Sequence, residues 1–325
     1  MKEALCLLCN QDNASVLLIN KGDPFRTSIN GRETRYVVCN LCGFVYQNPK
    51  LDEQEIENLY TKETYDKKDT RITEAYQQKK EEYAKQSFDW IAKHRQVSTQ
   101  TNESKILDIG CNTGALLSLF KQQGWQCYGV EPSQNMSTIA KERYGLTQVS
   151  THLFKEGLFA PASFSFVSLL HTLEHLENPA IMLKEIAQVL NPDGTVYIEV
   201  PDIYQPKSCF YTSYFAAPHL YVFSPHSLER LLAQHGFQTI ARGAVPRGIC
   251  VLAKKAEPRD LPLTDDSTNI IFQITQYKKI HDRHAFLYRY IAQSLPARIL
   301  IKLRLPIISS ALSRCTERVR VNKII

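Results

Sequence analysis

A chain of 325 residues with 43% hydrophobic, 22% charged and 10% aromatic residues can bury a core, which excludes wholesale disorder, fibrous classes and a large multidomain machine. The net charge of +6 is uneven: residues 271–325 hold 11 Lys or Arg against Asp282 and Glu317, or +9, and the other 270 residues sum to −3. A basic groove across the core is not indicated, so nucleic acid is not an expected partner. No apolar run approaches the roughly 18 residues of a spanning helix, and the start Met1-Lys2-Glu3-Ala4-Leu5-Cys6 lacks the apolar core of a secretory signal. The expected compartment is the cytoplasm, where nine scattered cysteines fit reduced thiols.

Along the chain, Cys6-x2-Cys9 is followed after 29 residues by Cys39-x2-Cys42-Gly43. Each pair can place two thiolates on one tight knuckle, and four thiolates make a closed tetrahedral zinc site with no position left for water. Cys6, Cys9, Cys39 and Cys42 are therefore expected to hold a structural Zn2+, and residues 1–49 read as a zinc-ribbon module. A chance spacing of unpaired thiols and a redox pair are the weaker alternatives, since neither pair follows a strand of a thioredoxin-like unit. Residues 50–103 read as a helical connector or lid, in which Tyr60 and Tyr65 either cover a ligand or pack against the core.

From 104 to 256, short apolar runs alternate with helical patterns, the signature of an α/β domain with a parallel sheet. Lys105 to Ile109 is an apolar strand running into Gly110-Cys111-Asn112-Thr113-Gly114 and a helix; the second strand, Gln126 to Val130, ends in Glu131-Pro132, 23 residues after Asp108. An acid at that interval can accept hydrogen bonds from two ribose hydroxyls. A dinucleotide site wants G-x-G-x-x-G for a pyrophosphate, whereas here the spacing is G-x3-G and Asp108 would repel a pyrophosphate but suit a cation.

The pattern resembles the turn of class I methyltransferases that wraps the methionine moiety of S-adenosylmethionine (SAM), with Asn112 in place of a middle Gly. Leu173-Glu174-His175 resembles the element after the fourth strand in that family, Leu190 to Pro201 reads as helix end, turn and fifth strand, and Gly236-Phe237 opens the last strand pair. The resemblance implies a Rossmann-like class I methyltransferase sheet of α/β class, with SAM contacted by Asp108, Gly110, Cys111, Asn112, Gly114, Glu131, Pro132 and His171. The strand near Thr147 to Leu153 lacks the following Asp that often holds adenine, and Ser165 stands where the family often has Asp.

Methyl transfer needs a positioned acceptor and, for a poor nucleophile, removal of its proton. His175 and His219 are the candidate catalytic residues, and His171 is expected to shape the cofactor pocket. Together with the paired cysteines and Asn48-Pro49 to Tyr65, the stretch Pro218 to Pro225 resembles a methyltransferase subgroup with an N-terminal zinc module that includes sugar C-methyltransferases. In those enzymes a His matching His175 and a Glu-His pair near His219 serve the substrate; here Pro218 replaces that Glu. The bland alternatives are a helix-start His175 bonded to backbone and a loop His219 packed under Tyr221.

Residues 257–268 read as a linker and 269–325 as a basic, helical amphipathic tail, suited to anionic lipid head groups or to packing on its own domain or a partner. The expected function is SAM-dependent methylation of a sugar or related small molecule, in glycan or natural-product biosynthesis, with a peripheral contact at the inner membrane surface through the tail. RNA methylation with the zinc ribbon as docking module, and a non-enzymatic SAM-binding scaffold, are the alternatives. The acidic core and the lack of an N/D-P-P-Y motif after the fourth strand speak against the first. Oligomeric state is not legible.

Overall fold

The computed structural model describes residues 3–20, 33–52, 54–56, 73–95, 104–205, 215, 218–262, 267–272 and 274–276. Tyr60, Tyr65 and the tail beyond 276 lie outside the described residues. In chain order come β1 (Ala14–Asn20), β2 (Thr34–Cys39), β3 (Val45–Gln47) and the long helix α1 (Glu74–His94). Then follow β4 (Lys105–Ile109), α2 (Ala115–Gln122), β5 (Gln126–Val130), α3 (Gln134–Tyr144), β6 (Val149–Ser150) and β7 (Phe164–Leu170). The last group is α4 (Pro179–Val189), β8 (Leu190–Val200), β9 (Tyr221–Val222), α5 (Pro225–Gln234), β10 (Phe237–Val245) and β11 (Gly248–Lys255).

Seven strands form one sheet in the order β10-β11-β8-β7-β4-β5-β6, parallel except for β11, which runs antiparallel to both neighbours. The chain goes out from β4 to β5 and β6, then returns to the other side of β4 for β7 and β8. The connections from β4 and β7 therefore head toward opposite edges of the sheet, and a crevice opens at the C-terminal ends of these strands. This is the α/β sheet that the alternation of apolar runs and helices predicts. Burial on both faces explains why the central strands read as nearly continuous apolar runs.

Successive residues of β4 serve opposite faces. Ile106 packs with α1 and α2 around Phe120, while Leu107 and Ile109 join the core beneath α4 and α5. Phe120 meets Phe88 at 5.1 Å and Trp125 at 5.3 Å edge-on, and Phe166 at 5.4 Å. Side-chain caps set the helix starts: Thr73 for α1, Ser133 for α3, Asn178 ahead of Pro179 for α4, and a Ser224–Ser227 capping box for α5. On α1, Gln77, Ala84, Ser87 and Ile91 are buried, at intervals that keep them on one face.

The Leu190 to Gly194 stretch differs from the expected turn. Leu190 already pairs with Phe164, the register then breaks before Phe166 meets Thr195, and Asn191 to Gly194 bulge out within β8. Asn191 donates to the Ser165 hydroxyl at 3.3 Å, so Ser165 anchors the bulge.

The N-terminal ribbon is not a detached module. Its sheet runs β1-β2-β3-β9, the last strand coming from the α/β half, with Val45 opposite Val222 and Tyr46 opposite Tyr221. One face packs Phe44 and Tyr46 into the core shared with Leu228 and Leu231; the other packs Leu18, Tyr36 and Val38 against Ile270 and Ile274. The first residues of the expected tail thus cover the chain's own sheet. The expected linker is likewise anchored: Arg230 donates to the Leu261 carbonyl at 2.7 Å, and Asp260 accepts from Arg230 at 3.2 Å and from Gln234 at 2.6 Å.

Removing the Phe120 ring leaves a cavity at the centre of an aromatic cluster. Phe120→Ala is expected to lower unfolding free energy by about 3–5 kcal/mol in a urea titration, with a changed Trp125 fluorescence in the folded state.

Candidate active site

The turn after β4 is shaped by three left-handed residues: Gly110 (φ 75°), Asn112 (φ 51°) and Gly114 (φ 77°). Asn tolerates that region better than most residues, which accounts for its standing in the middle position. The two glycines are demanded by protein atoms as well as by φ. A Cβ on Gly110 would meet the Thr172 hydroxyl oxygen at 2.5 Å, and one on Gly114 would meet Leu146 at 2.5 Å. Close approach of the loops after β4 and β7, and of α3's C-terminal end, is their structural task.

Glu131 sits 7% exposed at the end of β5. Each of its carboxylate oxygens accepts one backbone N–H, from Asn112 at 2.8 Å and from Ser133 at 2.9 Å, with half-buried Pro132 between. Burial pushes its pKa up, against the pull of those two amides. A second lone pair on each oxygen remains as an acceptor, which fits two ribose hydroxyls. Asp108 lies deeper: it is 3% exposed, accepts from the Ser168 hydroxyl at 2.7 Å, and is pushed up to about 7 by burial. Its carboxylate is thus braced beneath the turn, where the sequence reading set a charge facing the ligand. Cys111 is also buried under the turn, and burial raises its thiol pKa well above the ordinary value.

Helix α1 closes one side of this crevice. Arg143 on α3 pairs with Glu74 at 2.8 Å and Glu81 at 3.0 Å, and the Tyr76 hydroxyl reaches the Asn112 side chain at 3.5 Å. Lys80, over the Tyr76 ring at 5.4 Å, is pushed down to about 8 by burial and the nearby Arg247.

The loop after β7 gathers the histidines. His171, at φ 53°, donates its backbone N–H to the Glu199 carbonyl at 2.8 Å, and its Nε2 lies 3.0 Å from the Glu199 carboxylate. Burial and Arg247 push its pKa down, but Glu174 and Glu199 outweigh them and the net shift is upward. Glu199 in turn accepts from Ser87 at 2.7 Å and Tyr197 at 3.0 Å. Sequence reasoning passed over Glu199, although an acid inside an apolar strand was the available signal. His175 and His219, 44 residues apart in sequence, are brought together with ring centroids 4.7 Å apart, and His175 Nδ1 lies 2.9 Å from the Pro218 carbonyl. Behind them stands Glu174, 1% exposed. Burial pushes its pKa up, but His175, His171 and His219 pull it down to about 2.

The four predicted cysteines also converge, with all sulfurs within 4.8 Å of one another and Cys6–Cys42 and Cys9–Cys39 at 3.5 Å. The two knuckles match: Asn10 N–H donates to the Cys6 carbonyl at 2.8 Å and Gly43 N–H to the Cys39 carbonyl at 2.9 Å, and Asn10 and Gly43 both have positive φ. The hydrogen bond from Cys6 pulls the Cys42 thiol below its ordinary value, while the same contact and burial push Cys6 up. This ribbon reaches the histidines directly. The His219 carbonyl accepts from the Tyr36 hydroxyl at 2.8 Å and from Gln47 Nε2 at 3.1 Å, both donors being fully buried. Neither residue bears any sequence mark of such a role, because the contact spans more than 170 positions.

Glu131→Gln places an amide donor against a backbone N–H, and isothermal titration should show SAM binding weakened about 10- to 100-fold. Tyr36→Phe removes a donor to the His219 carbonyl and an acceptor for Gln47, and urea denaturation should show a loss of about 1–3 kcal/mol.

Residues 57–242, more than half of the chain, match the methyltransferase domain family. Among curated proteins, the chain is similar to "C-methyltransferase NovU" of Streptomyces niveus, 26% identical over 43% of this chain and 34% of that protein. It is also similar to the "Ubiquinone biosynthesis O-methyltransferase" of Azoarcus sp., 29% identical over 34% of this chain and 48% of that one. The match thus spans a third to a half of these relatives' length. Among solved structures, a SAM dependent methyltransferase from Aquifex aeolicus aligns with 63% of this chain and 98% of its own at 15% identity and a TM-score of 0.44. The domain match covers the glycine turn, Glu131 and the loop after β7, and the chain belongs to the methyltransferase domain family, with the fold of its class I SAM-dependent members.

Proposed function

We propose that the protein methylates a sugar or related small molecule, with SAM as donor and His175 and His219 facing the acceptor. The observation that carries this reading is the joint between the four-cysteine ribbon and His219, since the ribbon's Tyr36 and Gln47 hold the backbone of a histidine beside the crevice. A zinc-bearing module built into the acceptor side is what links the chain to the subgroup containing sugar C-methyltransferases. The name of the Streptomyces niveus relative, a C-methyltransferase, agrees with carbon as acceptor, and that of the Azoarcus relative with oxygen. Pro218, in place of the subgroup's Glu, argues against transferring its carbon-deprotonation chemistry unchanged.

SAM supplies an electrophilic methyl group activated by the sulfonium. The chain's own residues do the rest. Glu131 holds the ribose hydroxyls, and the Gly110–Gly114 turn fits the methionine moiety, with Asp108 bracing it from below. His175 donates Nδ1–H to the Pro218 carbonyl, which fixes the orientation of its ring beside the acceptor. Cys6, Cys9, Cys39 and Cys42 hold Zn2+ as a structural ion, tying two knuckles that β2 joins to His219. No helix among the described residues is long and apolar enough to cross a membrane, and the peripheral contact proposed for the tail is supported by its apolar residues with interspersed cations.

Metal analysis is expected to find one zinc per chain that Cys39→Ser loses, and chelation should lower the melting temperature. Incubation of the protein and methyl-labelled SAM with fractionated extract is expected to label nucleotide-sugar or lipid-linked glycan fractions. Label confined to RNA would replace this reading with RNA methylation, and SAM binding without turnover on any fraction would leave the scaffold reading.

A further inference from the structure

The acceptor side of the crevice contains a second set of metal-ligand atoms, apart from the four cysteines. A carboxylate oxygen of Glu174 and one ring nitrogen each of His175 and His219 lie within 4.8 Å of one another. Glu174 is 1% exposed, and among the described residues neither of its oxygens receives a hydrogen bond. Its nearest ring nitrogens, His171 Nδ1 at 3.5 Å and His175 Nε2 at 3.8 Å, stand beyond good hydrogen-bond length. His171 is engaged on its other side by Glu199 at 3.0 Å, so a single imidazole is shared between two buried carboxylates. A buried carboxylate without a donor is strongly unfavourable unless a cation meets it.

The tautomer of His175 sharpens the point. The Pro218 carbonyl at 2.9 Å can only accept, so Nδ1 carries the hydrogen and donates. In the neutral ring Nε2 then turns a lone pair toward Glu174 Oε1 across 3.8 Å. Two acceptors at that separation are too far apart to share a hydrogen and near enough to share an ion bonded to each at about 2.0–2.2 Å. A ring that gives its other N–H to a carbonyl is the arrangement by which metal-ligating histidines are oriented. The third ligand is fixed from behind by Tyr36 and Gln47 on the His219 carbonyl.

We infer that Glu174, His175 and His219 bind a divalent first-row transition ion on the acceptor side of the methyl-donor site. One carboxylate oxygen and two imidazole nitrogens suit Mn2+, Fe2+, Co2+ or Zn2+ better than Mg2+ or Ca2+, which favour oxygen shells. Three protein ligands leave coordination positions open, and these fit an acceptor that offers two adjacent oxygens, such as a vicinal diol or a hydroxy-carbonyl group. That acceptor class rests on the methyltransferase reading; the ion site itself does not.

The test uses the full chain carrying a single equivalent of zinc, which the four thiolates take in preference to the Glu-His-His set. MnCl2 is added and free Mn2+ is followed by electron paramagnetic resonance, since Mn2+ disfavours thiolate sites. Wild-type protein is expected to take up one Mn2+ per chain, and Glu174→Gln and His219→Ala to bind it about tenfold or more weakly. Retained SAM binding and thermal melting certify each variant as folded, and half-buried His219 gives a variant less exposed to misfolding than Glu174. No Mn2+ uptake by wild-type protein that binds SAM, or equal uptake by both folded variants, overturns the inference. Mn2+ uptake without SAM binding or label transfer would instead strike the methyltransferase reading and leave the ion site standing.

Discussion

A two-residue ladder between β3 and β9 joins everything else: Tyr46 pairs with Tyr221 and Val45 with Val222, and the four-cysteine ribbon becomes continuous with the α/β core. Phe44 packs against Tyr221 and Phe223 at 5.8 and 5.5 Å, so the joint carries aromatic burial as well as hydrogen bonds. Each strand is too short to be stable alone. Their pairing works because both flanks are already fixed, by the cysteine knuckles on one side and by α5's capping box on the other. The gain is positional, since the chain directly before β9 is the loop bearing His219.

The second theme is concentrated charge at the edge of an apolar sheet. Asp108, Glu131, Glu174 and Glu199 are all nearly inaccessible, and each is managed differently. Asp108 has a hydroxyl, Glu131 two backbone amides, and Glu199 a hydroxyl, a phenol and an imidazole. Desolvation penalises all four as anions, so the differences in partner decide which carries negative charge at neutral pH. Glu199 and Glu174 are held down by histidines and Asp108 is lifted toward neutrality. The crevice therefore has an anionic wall on the histidine side and a braced, weakly charged floor under the glycine turn. Lys80 and Arg247 stand nearby on the α1 side and at the β10–β11 turn, bringing positive charge to the same space.

Much of this was legible in the chain itself. Cys6-x2-Cys9 and Cys39-x2-Cys42 could be read because ligand spacing within a knuckle is local, and the converging sulfurs follow from it. The turn from Gly110 to Gly114 and the acid at Glu131 were legible because strand, turn and helix are contiguous. What the glycines accommodate was not: Thr172 and Leu146 come from other loops, and only packing brings them to those Cα atoms. The Asn191 to Gly194 bulge was misread as a turn since Asn-Pro-Asp-Gly carries the same signals in both settings, and only the pairing of Leu190 with Phe164 separates them.

By itself the sequence determined the α/β class, the two cysteine knuckles, the glycine turn with the acid closing the next strand, and His171 and His175 after the fourth strand, because each is written in a contiguous run of residues. Tertiary structure decided the rest. It brought His219 beside His175, set Glu174 behind them, gave Glu199 to His171, and made Tyr36 and Gln47 of the ribbon into supports for the His219 backbone. These contacts join segments 28 to 183 residues apart. No local pattern encodes such contacts; they exist only because a sheet whose strand order reverses at β4 and a ribbon that borrows β9 bring distant segments to one edge.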